Sequence, residues 1–271
     1  MPDRMEGFVT TDDGVRLAYR IDGPANAPLL LLANSLGTDW RVWDAQVGPF
    51  ASRLRVVRYD MRGHGQSEAP EGPYTIDRLG RDALDVMEAL DARRAHVCGI
   101  SLGGMVAMWL AGRHAERVDH LILADTATRI GSEESWTERI RAVREGGMPA
   151  IRERVVGRFL SEAFREREPN LARRLGEMLV ATPAAGYIAA CQALQTADLD
   201  TVAGRIRCPT LVVVGALDES TPPAQAEALR DAIVRSELVI FDHAAHLPNV
   251  EQPDAFNARG LMFLSDHDGS P

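Results

Sequence analysis

The sequence predicts an α/β chain: a mostly parallel central sheet with helices on both faces and a helical insertion near its middle. Three observations predict it. Short apolar runs of strand length alternate with helical stretches over most of the chain, the pattern of strands joined by crossover helices. At Gly99-Ile100-Ser101-Leu102-Gly103 the apolar run Ala95-His96-Val97-Cys98 passes at once into the helical run Met105-Val106-Ala107-Met108-Trp109-Leu110, a tight strand-to-helix turn. Between residues 130 and 199 the alternation stops, and no convincing strand pattern occurs.

Residues 9–22 alternate around Asp12-Asp13-Gly14, a hairpin signal. Residues 29–33 are continuously apolar, as a strand buried on both faces requires, and 40–54 hold a short helix. A strand at 55–59 and an amphipathic helix at 76–90 follow. Residues 95–98 lead into the glycine-flanked turn, and 118–124 form the next strand. The insertion, assigned to residues 131–199, carries charge runs such as 139–144 that read as solvated helix faces. It is expected to cap the carboxyl edge of the sheet. Strands at 210–215 and 237–241 then flank a helix at 223–233, and a last helix spans 253–263. The core domain would comprise 1–130 and 200–271, with a frayed tail at 265–271.

With 271 residues, 45% hydrophobic and 25% charged, the chain can bury a large core. Thirty basic against 39 acidic residues give a net charge of −9. That balance argues against nucleic acid or an anionic membrane as partner, while a local arginine could still meet a small anion. No run nears the roughly 20 apolar residues that cross a bilayer. The opening Met1-Pro2-Asp3-Arg4-Met5-Glu6 has acids where a signal peptide is basic, so a cytoplasmic location is expected. Cys98, Cys191 and Cys208 are odd in number and far apart, which argues against a disulfide framework or a zinc site. Nothing decides between a monomer and a homo-oligomer.

A serine in such a turn stands above the sheet beside the first N–H groups of a helix, which can hold a developing oxyanion. It needs a base to take its proton and a third group to orient that base. In a strand–turn–helix setting of this kind the order is Ser, acid, His. Asp218 follows the strand at 210–215, and His246 lies in Asp242-His243-Ala244-Ala245-His246-Leu247-Pro248 after the next strand. Ser101, Asp218 and His246 are therefore the candidate catalytic residues. His243 is the alternative base, set too close to its strand to swing over the sheet edge. Asp125 is the rival acid, and Glu219 reads as a surface neighbour.

The second oxyanion donor should come from the loop Asn34-Ser35-Leu36-Gly37-Thr38-Asp39 after the first long core strand. The backbone N–H of Leu36, paired with that of Leu102, is the candidate, and Gly37 would let the backbone bend. Asp60-Met61-Arg62-Gly63-His64-Gly65-Gln66-Ser67 reads as a loop locked by internal hydrogen bonds, with His64 structural and Arg62 without an assigned role. Trp136, opening the insertion, is a candidate to face the pocket.

Together the serine turn, the Arg-Gly-His-Gly-Gln-Ser loop and the Asp and His loops resemble the α/β-hydrolase superfamily over essentially the whole chain, implying the α/β-hydrolase fold. A sharper likeness lies in Asn34-Ser35-Leu36-Gly37-Thr38-Asp39 with Trp43, in Gly99-Ile100-Ser101-Leu102-Gly103-Gly104, and in Ala124-Asp125-Thr126-Ala127-Thr128-Arg129-Ile130-Gly131. These resemble the 3-oxoadipate enol-lactonases of bacterial aromatic degradation; most of the superfamily carries His-Gly where this chain has Asn34-Ser35. The resemblance places a triad on Ser101, Asp218 and His246 and implies a small anionic lactone as substrate, with no metal or organic cofactor. Its acetate arm needs a cation, for which Arg129 is the candidate over a surface ion pair; Trp136 and Asn34 complete the substrate-binding set. A general carboxylesterase, a lactonase of other specificity or a carbon–carbon bond hydrolase would use the same triad. A ligand-binding receptor and a transacylase are the readings from outside hydrolysis.

Overall fold

In a computed structural model the structure describes residues 5–266. The expectation of a frayed tail falls, from residue 267 on, outside the described residues. Eight strands form one sheet in the order β1-β2-β4-β3-β5-β6-β7-β8. They are β1 (Met5–Thr10), β2 (Arg16–Asp22), β3 (Leu29–Ala33), β4 (Arg55–Tyr59), β5 (Ala95–Ile100), β6 (Val118–Ala124), β7 (Thr210–Gly215) and β8 (Ser236–Phe241). β1 and β2 form the expected hairpin, β2 runs antiparallel to β4, and every other pairing is parallel. Each residue of β3, β5 and β7 is buried, so their apolar runs are covered on both faces.

The helices before β6 are α1 (Asp44–Ala51), α2 (Ile76–Ala89) and α3 (Leu102–Arg113). The α2 start is fixed by Thr75, whose side chain accepts the Arg78 N–H, an N-cap. α3 is apolar on nearly every side and packs on β3, β5 and β6. Between β6 and β7 the chain is helical: α4 (Glu133–Gly146), α5 (Arg152–Phe159), α6 (Glu162–Arg167), α7 (Pro169–Ala181), α8 (Ala184–Thr196) and α9 (Asp200–Ala203). The fold closes with α10 (Pro223–Ala232), α11 (Pro248–Glu251) and α12 (Pro253–Asp266). No helix among the described residues is long and apolar enough to cross a membrane.

β3 lies between β4 and β5. The chain therefore leaves β3 to one side and crosses back to the other, and the carboxyl ends of β3 and β5 border a crevice at this reversal. The loop at 34–39 and the turn at Ser101 both open there. Close backbone packing ties α8 to the core. A Cβ on Gly63 would come 2.7 Å from Gly186 Cα of α8, and one on Gly186 would come 2.4 Å from Gly63 Cα.

Candidate active site

Ser101 sits between β5 and α3 with φ 56° and ψ −116°, a strained conformation for a residue with a Cβ. Its N–H donates to Ala124 O at 3.0 Å, and its carbonyl accepts from Thr126 Oγ1 at 2.8 Å. The turn is too tight for side chains on its flanks. A Cβ on Gly99 would lie 2.1 Å from Gly103 O, and one on Gly103 would lie 2.2 Å from Ala33 O.

His246 Nδ1 lies 2.7 Å from Asp218 Oδ2, and both residues are 3% exposed. A carboxylate partner puts the proton on Nδ1 and leaves Nε2 to accept. Burial alone would raise the Asp218 carboxyl; the His246 charge and hydrogen bonds from His246, Thr221 and Ser220 outweigh it and hold the group below its ordinary value. Asp218 accepts from the Ser220 N–H at 2.7 Å and from Thr221 Oγ1 at 2.5 Å. Asp125, Asp218 and His246 bring ligand-type atoms within 4.8 Å of one another. The His246–Asp218 separation is that of a direct hydrogen bond, which leaves no room for a cation between those two atoms. His243, by contrast, is exposed.

Asp125 sits behind this pair at φ 45°. Its Oδ1 accepts the Gly215 N–H at 2.9 Å, while Oδ2 is buried without a donor. Burial first, then the Asp218 charge and a hydrogen bond with Asp218, push its carboxyl well above the ordinary range. A proton on Asp125 turns two facing acceptors into a donor and an acceptor. The native state keeps that proton while the unfolded chain releases it near pH 4. Stability from this group is thus complete below that value and declines as pH rises. Asp125→Asn keeps a neutral donor there. We expect its melting temperature to gain on the wild type from pH 4 to pH 8 by several degrees, at about 2–4 °C per kcal/mol, as calorimetry at both values would show.

The loop after β3 is held from below. His64 is fully buried; its Nε2 accepts the Gly37 N–H at 3.0 Å, and Nδ1 lies 3.2 Å from Arg62 O. Burial pushes the His64 ring down to about 4, so it stays neutral and keeps Nε2 an acceptor. Arg62 is anchored on Asp13 and Asp82. Neither the Leu36 nor the Leu102 N–H donates to any described residue, and Leu36 borders the same cavity as Ser101. His64→Ala frees Gly37 and the loop bearing Leu36. We expect kcat to fall about 10- to 100-fold, less than the 10²–10³ for deleting an oxyanion donor, with KM little changed in steady-state assays.

Ser101 and His246 open onto one cavity of about 260 Å³. Ser35 and Leu36 border it below, Ile130, Trp136 and Arg139 on one side, and Val155, Arg158 and Phe159 of α5 on another, with Tyr187 of α8 and exposed Glu219 completing the wall. Trp136 borders it with its Nε1 donating to Ile130 O at 2.6 Å. Asn34 does not: its amide bonds Tyr59 O and Trp43 Nε1, bracing the loop from inside. Nor does Arg129. It is 60% exposed and ion-paired with Asp198 and Asp200, which draw its side chain away from the cavity. The cations on the cavity are Arg139 and Arg158. Arg139 stands in the charge run expected to be solvated, yet it is 6% exposed, while Arg141 and Arg144 are exposed. The buried Oγ of Ser35 has no partner, and Tyr187 carries no signal in the sequence that marks it for the cavity.

The chain belongs to the alpha/beta hydrolase fold family, which it matches over residues 28–253, and it is a hydrolase. It is 39% identical to 3-oxoadipate enol-lactonase 1 of Acinetobacter baylyi over 92% of this chain and 93% of that protein. Its fold superposes on the crystal structure of the enol-lactonase from Burkholderia xenovorans LB400 with a TM-score of 0.93, at 41% identity, covering 96% of this chain and all of that one. A thermophilic esterase from Thermogutta terrifontis, solved with malate bound, gives 0.90 at 29% identity over 97% and 99% of the two chains.

Proposed function

We propose that this enzyme hydrolyses the 3-oxoadipate enol-lactone ring to 3-oxoadipate, with Ser101 as nucleophile, His246 as base and Asp218 as its orienting acid. One observation carries the mechanism: Ser101 and the Asp218-paired His246 open onto the same small cavity. The substrate follows from the enol-lactonase relatives at about 40% identity. Residues 131–199 act as a cap on a core of 1–130 and 200–271.

In the first step Ser101 Oγ attacks the lactone carbonyl carbon while His246 Nε2 takes its proton. The Leu36 and Leu102 N–H groups hold the oxyanion. On collapse the ring C–O bond breaks, the leaving enol oxygen takes the proton from His246, and the enol tautomerises to the ketone. Water, deprotonated by His246, then attacks the acyl-enzyme, and the proton returns to Ser101 as 3-oxoadipate leaves. A compact cavity suits a five-membered ring better than a long acyl chain.

Steady-state hydrolysis of freshly generated enol-lactone tests the reading. A kcat/KM above about 10⁵ M⁻¹s⁻¹ is expected, within the usual enzyme range. Turnover slower than that of short p-nitrophenyl esters would favour a general esterase, the reading to which the Thermogutta terrifontis likeness points.

A further inference from the structure

We propose that Arg139, with Trp136 and Tyr187, forms a subsite inside the cavity that binds a carboxylate, so that the enzyme selects small esters or lactones that carry one. This subsite serves the reaction proposed above and rests on that reading.

Arg139 lacks a counter-charge among the described residues. Two other arginines are as deeply buried, and each is ion-paired with two carboxylates: Arg58 with Asp22 and Asp44, though its Nε also lacks an acceptor, and Arg62 with Asp13 and Asp82. Arg139 is 6% exposed, and among the described residues no carboxylate lies within ion-pair distance of it. Its Nη1 donates to Tyr187 OH at 3.0 Å, and its Nε is buried with no acceptor. A buried guanidinium without a counter-ion is costly to fold around. A ligand that arrives with a negative charge removes that cost, and its binding is strengthened by the same amount.

Position and geometry agree with this. The Trp136 ring lies 5.8 Å from the guanidinium carbon, within the range in which an aromatic face steadies a cation. Trp136 and Tyr187 thus hold the guanidinium from two sides, and its Nε is left without an acceptor. A planar fork so placed reads a carboxylate through paired hydrogen bonds, which an ammonium could not do. Arg158 borders the same cavity. Arg154 of α5 is held below its ordinary value by burial and then by the charges of Arg139 and Arg158, so three cations share one field in a chain of net charge −9. Glu219 is the one acid on the cavity wall; it comes from the loop after β7 and makes no ion pair with Arg139. The ligand class is therefore a short mono- or dicarboxylate, not a long fatty acid.

Titration calorimetry with adipate and with its neutral counterpart adipamide tests this without requiring turnover. On the unaltered enzyme adipate should bind at least about 30-fold more tightly than adipamide, the scale of a buried hydrogen-bonded charge pair. In Arg139→Gln that preference should collapse to within about threefold, and Arg139→Lys should restore only part of it. Equal affinity for the two compounds on the unaltered enzyme would overturn the subsite. So would an adipate preference that survives Arg139→Gln, or one that Arg139→Lys restores in full. Should Arg139→Gln not fold, the unaltered enzyme and Arg139→Lys still decide. A failure to open the enol-lactone would instead remove the reaction proposed above and leave the binding ratio readable.

Discussion

Ser101→Ala is expected to lower kcat by at least about 10⁴-fold, the scale on which removing a triad nucleophile acts. The loss comes from chemistry and not from binding, because the serine adds one hydroxyl to a cavity shaped mainly by other residues. KM should therefore stay within a few-fold, and a fluorophosphonate probe should no longer label the protein. A companion variant separates reactivity from backbone strain. At φ 56° and ψ −116° glycine is at ease where alanine and serine are not. Ser101→Gly should be as inactive as Ser101→Ala yet melt a few degrees higher. Turnover in Ser101→Ala within tenfold of the wild type would sink the nucleophile assignment.

Asp218→Asn is expected to cost about 10³- to 10⁴-fold in kcat near neutral pH. An amide cannot stabilise the imidazolium that forms as His246 takes the serine proton. It also offers a donor where Nδ1 must donate, so the ring is driven toward the wrong tautomer. The Ser220 and Thr221 groups that now point at the carboxylate would face an NH₂ or force the amide to flip. Asp125→Asn, whose parent carboxyl burial already pushes well above its ordinary range, should stay within about tenfold of the wild type, the context-dependent effect of a group that only supports the acid. Parallel steady-state assays of the two variants decide between the acids. A larger loss at 125 than at 218 would reverse the assignment.

The sheet could be read from the sequence because its signals are local. The unbroken apolar run of β3 and the helix-coloured run of α3 each state their own burial. The glycines at 99 and 103 disclose a close approach that only a sharp turn requires. The order of Asp218 and His246 along the chain followed from strand-end positions, and the structure brings those two side chains within 2.7 Å. Arg129 and Arg139 show where local reading ends. Which way Arg129 leaves its loop is decided by Asp198 and Asp200, some 70 residues later. Whether Arg139 faces water or the cavity is decided by Tyr187, 48 residues away. In the sequence both are arginines among charges; the one local sign is that Arg139 shares a helix face with Trp136, Ile140 and Val143. Asp125 lies between these cases: its place at a strand end is legible, while the burial that raises its carboxyl, and after it the Asp218 charge, arise only in the folded chain.

The glycine-to-glycine contact between residues 63 and 186 has a practical meaning for anyone reshaping this catalyst. With two backbones in van der Waals touch, neither position tolerates even a methyl group, and the start of α8 is riveted to the body of the enzyme. Tyr187, the next residue along, inherits that fixity. The wall it forms is an anvil that directed evolution would find unyielding. The other wall is α5, tied to the core at its end by the Leu247 N–H donating to Phe159 O at 3.1 Å, while Val155 and Arg158 before that tie present side chains to the cavity. Libraries aimed at bulkier lactones belong there.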